Sequence, residues 1–166
     1  MKAPRSVRHE IRVADEVWLA TALLHREHPR RRDFEVSEIV ERARQEGITR
    51  RLRPGVRVHV LLHCVANRPP NPAGYRMLFA TGRTTRRLYR PGDPTHPARR
   101  GKTVPDRNAV PPEYQGLLDW YHAQYSARAA ASVRTDPLLA LRGSGKSLWA
   151  DEHADDYVRR LREGWA

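Results

Sequence analysis

Residues 54–66, Pro54-Gly55-Val56-Arg57-Val58-His59-Val60-Leu61-Leu62-His63-Cys64-Val65-Ala66, decide the fold. Val56, Val58 and Val60 alternate with polar residues as in a strand, while Val56, Val60 and Cys64 recur at helical spacing. The length of the segment and a proline near its start favour a helix, because proline costs nothing where the first N–H groups have no partner. With that choice the neighbours fall into order. Upstream, Val17, Leu19, Ala20, Leu23 and Leu24 form an apolar stripe that predicts a helix over 14–28, ended by Pro29 and Arg30-Arg31-Arg32. A second amphipathic stretch opens at Ser37, runs through Ile39, Val40 and Ala43, and closes at Gly47.

Downstream, the three prolines, asparagine and glycine of 68–74 predict a loop. Residues 75–80 and 85–90 read as strands around the reversal Thr81-Gly82-Arg83-Thr84. Residues 91–112, rich in Pro, Gly and charge, predict irregular surface. Tyr114, Leu117, Leu118, Tyr121 and Tyr125 then predict an amphipathic helix over 113–125 behind Pro111 and Pro112. Three helices followed by a hairpin describe a winged helix-turn-helix, an α+β class that is mainly α. The expected organisation is a domain at 9–125, an Ala- and Ser-rich linker at 126–135 and a tail at 136–166.

Charge follows the same division. The 166 residues hold 31 Lys and Arg against 19 Asp and Glu, a net charge of +12. Residues 50–107 contain 14 basic side chains and only Asp93 and Asp106 as acids, so this segment carries the whole excess. Such a balance predicts attraction to a polyanion, and nucleic acid is the first candidate. Arg50, Arg51 and Arg53 precede the third helix, Arg57 lies on it with His59 and His63, and Arg83, Arg86, Arg87 and Arg90 decorate the hairpin. These ten are the expected DNA-binding residues, since a guanidinium fork fits a guanine edge or a phosphate. The competing reading is a solvated surface on an Arg-rich chain, or a winged helix used to bind protein.

Other constellations are weaker. His59 and His63 share a helix face, but no third ligand lies near them, so no metal is expected. Gly143-Ser144-Gly145-Lys146-Ser147 imitates the end of a phosphate-binding loop, yet Ala140 stands where its first glycine belongs. Asp151, Glu152, Asp155 and Asp156 read as helix-start charges. Hence neither enzyme activity nor a cofactor is expected. A single cysteine, Cys64, precludes an intramolecular disulfide and fits a reducing cytoplasm. No apolar run reaches the roughly 18 residues of a membrane span.

The tail combines Leu141, Leu148, Trp149, Tyr157, Leu161 and Trp165 with Arg142, Arg159, Arg160 and Arg162. Thirty-one residues cannot easily bury such side chains alone, so they need the domain or a partner. A helix over 154–163 with one apolar stripe matches the helix-in-groove mode of recognition.

Two resemblances add to this reading. The stretch 34–90, with Val36-Ser37-Glu38-Ile39-Val40, Arg53-Pro54-Gly55-Val56, His63-Cys64-Val65-Ala66-Asn67 and Arg76-Met77-Leu78-Phe79, resembles a little-characterised bacterial winged-helix family. In the tail, Leu138-Leu139-Ala140-Leu141-Arg142-Gly143-Ser144-Gly145-Lys146, Leu148-Trp149 and Asp156-Tyr157-Val158-Arg159-Arg160-Leu161-Arg162 with Trp165 are similar to the C-terminal segments of VapB-type antitoxins. That likeness implies a toxin–antitoxin system: an N-terminal DNA-binding domain, and a tail that wraps a PIN-domain ribonuclease. The arginines would meet the toxin's acidic metal site and the aromatics would anchor the interface. The N-terminal part departs from the dimerisation domains usual in that family. The rival expectation is a stand-alone transcriptional regulator whose tail packs on its own domain.

Overall fold

The computed structural model describes residues 11–49 and 51–127, with Arg159 and Arg162. The chain divides into two compact units, Met1–Ala127 and Arg128–Ala166. The first unit is α+β and mainly helical.

Helix α1 spans Val13–Glu27 and is buried from Ala14 to His25. Asp15 and Glu16 occupy its first turn and His25 and Arg26 its last, the charge order that suits the helix dipole. The two-residue strand β1, Phe34–Glu35, leads directly into helix α2, Val36–Glu46. Glu35 and Glu38 form a reciprocal capping box at this start, in which the Glu35 backbone N–H donates to Glu38 Oε2 at 2.9 Å. Gly47, at φ 62°, ends α2 in the left-handed conformation that glycine adopts without strain.

Helix α3 begins as an α-turn over Gly55–Val58 and continues as a π-turn over His59–His63, closed by the Cys64 N–H on the His59 carbonyl at 3.0 Å. The helical reading of this segment holds. Strands β2, Leu78–Ala80, and β3, Thr85–Leu88, form the expected hairpin with a shorter ladder. The sheet is antiparallel in the order β1-β3-β2, with Phe34 opposite Arg86 and Leu78 opposite Leu88. Strand β1 was not anticipated, because two residues show no periodicity. The expected helix over 113–125 starts as a 3₁₀ turn, Pro112–Tyr114, continues as helix α4, Gln115–Trp120, and ends as a π-turn, Tyr121–Tyr125.

Val17, Trp18, Leu19, Phe34, Ile39, Met77, Leu78, Leu88 and Leu117 fill the core. Burying each large apolar side chain contributes roughly 1.5–3 kcal/mol. Trp18 meets Tyr121 edge-on at 5.5 Å between centroids, and the Tyr121 hydroxyl donates to the Tyr89 carbonyl at 2.6 Å. The last helix is thereby fastened both to α1 and to the end of β3. Among the described residues, no helix is long and apolar enough to cross a membrane.

Candidate nucleic-acid interface

Helix α3 is held in place at both ends. In front of it, Arg53 turns inward: its Nε and Nη2 reach Glu16 Oε2 at 3.0 and 2.6 Å, and its Nη1 donates to the Ile11 carbonyl at 2.7 Å. Glu16 is fully buried, so this pair fixes the entry to α3 against α1. Next to Glu16, buried Asp15 is met by Lys102 Nζ at 2.9 Å, which ties the later loop to the same turn of α1. Behind α3, the exit is stitched to β2. The Leu78 N–H donates to the Cys64 carbonyl at 2.8 Å, the Ala66 N–H to the Leu78 carbonyl at 2.7 Å, and the Asn67 side chain exchanges bonds with both backbone groups of Ala80.

The carbonyls at the end of a helix lack intrahelical partners and carry the negative pole of its dipole. Two buried guanidiniums take them here. Arg86, 0% exposed, donates to the carbonyls of Val60 at 3.2 Å and Leu61 at 3.4 Å, and through Nη1 to those of Gly82, Arg83 and Thr85. Arg99, 1% exposed, donates to those of Leu62 at 2.7 Å and His63 at 2.9 Å, and to Arg68, Pro69 and Tyr75. Burial, reinforced by the charge of Arg68, pulls Arg86 down to about 10, and burial lowers Arg99 as well.

Several residues expected to face DNA therefore do other things. Arg53 is spent on Glu16, and Arg86 is an internal helix cap whose fork is filled by carbonyls. Arg87 forms a two-point pair with Asp93, both contacts at 2.7 Å, and stacks its guanidinium 4.4 Å from the Phe79 centroid. Burial opposes its charge, but Asp93 outweighs burial and raises the pKa. Arg90 lies over the Tyr125 ring at 4.7 Å. Arg86, Arg87 and Arg90 lie on β3 or just after it, where carbonyls, Asp93 and aromatic rings take the place of water. Arg99 and Lys102, in the stretch 91–112 whose Pro, Gly and charge predict irregular surface, are likewise structural. No local sequence signal marks Arg99, whose partners lie 24 to 37 residues away; Lys102 has a local partner in Asp106, but the buried Asp15 it also holds is 87 residues earlier.

Arg51, Arg57 and Arg83 remain exposed, and among the described residues they enter no ion pair. Arg51 precedes α3, Arg57 lies on it, and Arg83 sits in the hairpin turn. Arg68, half-buried, reaches the turn from the loop after α3, with Nη2 at 3.3 Å from the Arg83 carbonyl. His59 Nδ1 bonds the Gly55 carbonyl and His63 Nδ1 the Asn71 carbonyl, both at 2.8 Å, with the rings 4.7 Å apart. Burial lowers His59 most, the Gly55 carbonyl opposes it, and His63 and Arg53 add to the lowering. Among the described residues, no three His, Cys, Asp or Glu side chains group to hold a metal ion.

Arg50 lies outside the described residues, as do Leu141, Arg142, Leu148, Trp149, Tyr157, Arg160, Leu161 and Trp165 of the tail. Arg159 and Arg162 are helical and exposed. No protein-family model, curated protein or solved structure matches this chain.

Proposed function

We propose that the first unit is a winged helix-turn-helix that binds duplex DNA, with α3 in the major groove and the β2–β3 turn against the backbone. The element order, α1-β1-α2-α3-β2-β3, and the β1-β3-β2 sheet support this fold. The observation that carries the binding claim is the set Arg51, Arg57 and Arg83: exposed cations before, on and beyond α3, in a segment where Asp93 and Asp106 are already engaged by Arg87 and Lys102. Each phosphate contact would release a counterion, so affinity should fall steeply with salt. Fluorescence anisotropy of the full chain on a labelled duplex, across a salt series, tests this. Salt-independent binding, or none, overturns it.

The tail completes the reading as an antitoxin. It would neutralise a PIN-domain ribonuclease by presenting Arg142, Arg159, Arg160 and Arg162 to an acidic site, anchored by Trp149, Tyr157, Leu161 and Trp165. The support is compositional: apolar anchors interleaved with arginines over 141–165. Adding the full chain to a PIN-domain ribonuclease encoded by an adjacent gene should abolish RNA cleavage. Undiminished cleavage rejects the inhibitor role and leaves the DNA claim standing.

A further inference from the structure

The outward side of α3 is unusual for a cationic segment. Val58 and Leu62, four residues apart, are 41% and 38% exposed and are the exposed large hydrophobic residues among those described. Arg57 stands exposed beside Val58, and Pro54 is exposed at the start of the helix. Asn, Gln, Asp and Glu are all absent from residues 54–66, so this helix has no side chain that pairs with the edge of adenine or accepts from cytosine. Apolar exposure on a helix that also carries exposed Arg57, in a segment with exposed Arg51 and Arg83, suits a polyanion that also offers an apolar group.

In the major groove that group is the C5-methyl of thymine. We infer that α3 reads thymine methyls through Val58 and Leu62, with Arg57 supplying a guanine or phosphate contact beside them. The inference rests on the DNA-binding reading and narrows it to a class of sequence: the preferred site contains thymines at the α3 contact positions. An acidic protein groove would match the charge equally, but it would not depend on a base methyl.

The test uses a 20-base-pair duplex enriched by the full chain from a randomised pool, compared with the same duplex carrying deoxyuridine for thymine. The change removes only methyl groups, and affinity should fall roughly fourfold for each methyl buried. The double variant Val58→Ser/Leu62→Ser alters solvent-exposed positions and should fold, keep the salt dependence and lose the thymine–uracil discrimination. If deoxyuridine binds equally well while salt dependence persists, the inference fails and the DNA reading survives. A chain that binds no duplex overturns both. If instead self-association in sedimentation is abolished by the double variant and no methyl discrimination exists, the face belongs to a second copy of the chain and the inference is wrong.

Discussion

Arg83 and Arg86 stand three residues apart in one hairpin and end in opposite surroundings. Arg83 is exposed in the turn, while Arg86 on β3 is fully buried with its fork among carbonyls. The same contrast separates Arg57, exposed on α3, from Arg99, buried behind it. Net charge treats the four alike, but the fold does not. A guanidinium is weakly hydrated and carries five donors in a plane, so it can leave water where enough carbonyls converge. At the end of α3 they do converge. The basic segment therefore contains an inner set of arginines, Arg86 and Arg99, that cap α3 and an outer set, Arg51, Arg57 and Arg83, left exposed.

Removal of an inner arginine should have the largest effect. Arg99→Ala strands carbonyls at the end of α3 and in the loops containing Arg68, Pro69 and Tyr75. A loss of about 4 kcal/mol in unfolding free energy is expected, read from the urea midpoint, since each buried acceptor left unpaired costs about 1–3 kcal/mol. Arg86→Ala should cost a similar amount. A loss under about 1 kcal/mol in both would mean that water replaces the guanidiniums freely and that the distinction is empty.

Burial and three other arginines act together on His25. This buried ring lies edge-on to Phe34 at 4.9 Å, with Nε2 3.4 Å from both the Leu88 N–H and the Tyr125 hydroxyl. Burial, followed by Arg90, Arg87 and Arg31, holds its pKa down to about 3. In the unfolded chain it titrates near 6.5, so the folded state refuses a proton that the unfolded state accepts. Its stabilising contribution is complete above pH 6.5 and is lost as pH falls toward 3, at up to about 1.4 kcal/mol per pH unit. Between pH 6.5 and 5, above the carboxylate range, His25→Gln should flatten this slope. An unchanged slope would remove His25 from the account.

Most of the helical frame was legible in the sequence because it is written locally. The stripe of Val17, Leu19, Ala20, Leu23 and Leu24 placed α1, Gly47 ended α2, and Pro54 with the spacing of Val56, Val60 and Cys64 settled α3. Strand β1 was not legible, since Phe34 and Glu35 are ordered by β3 across a gap of about fifty residues. The division of the arginines was hidden for the same reason. Arg99 becomes a cap only once residues 62–75 have folded around it, and Arg53 is neutralised by Glu16, 37 residues earlier. Counting charges over 50–107 located the candidate surface but overstated the cations available to a ligand.

A smaller effect concerns the approach that brings Arg99 inward. The Gly101 N–H donates to the Gly74 carbonyl at 2.8 Å, and a Cβ on Gly101 would lie 2.6 Å from that oxygen. The obstacle is backbone, which cannot rotate aside as a side chain would. Gly101→Ala should separate the two loops and cost about 2 kcal/mol, as overpacking does. Hydrogen exchange at the Gly101 and Arg76 amides should accelerate with it, because the Arg76 N–H bonds the neighbouring Lys102 carbonyl. Unchanged protection there would mean that the loops accommodate the methyl without parting.

The smallest expected stability changes belong to the outer set. Arg57→Ala and Arg83→Ala remove exposed cations without ion-pair partners, so each should leave the urea midpoint within about 0.5 kcal/mol of the parent. Binding should respond instead: if each arginine holds one phosphate, the slope of log affinity against log salt decreases by about 0.9 per substitution. The inner variants should show the converse, with large losses of stability and, at temperatures where they remain folded, an unaltered salt slope. A stable Arg57→Ala protein with an unchanged slope would place Arg57 off the phosphates. The same result in Arg83→Ala would take the hairpin turn out of the interface, leaving α3 to bind without a wing.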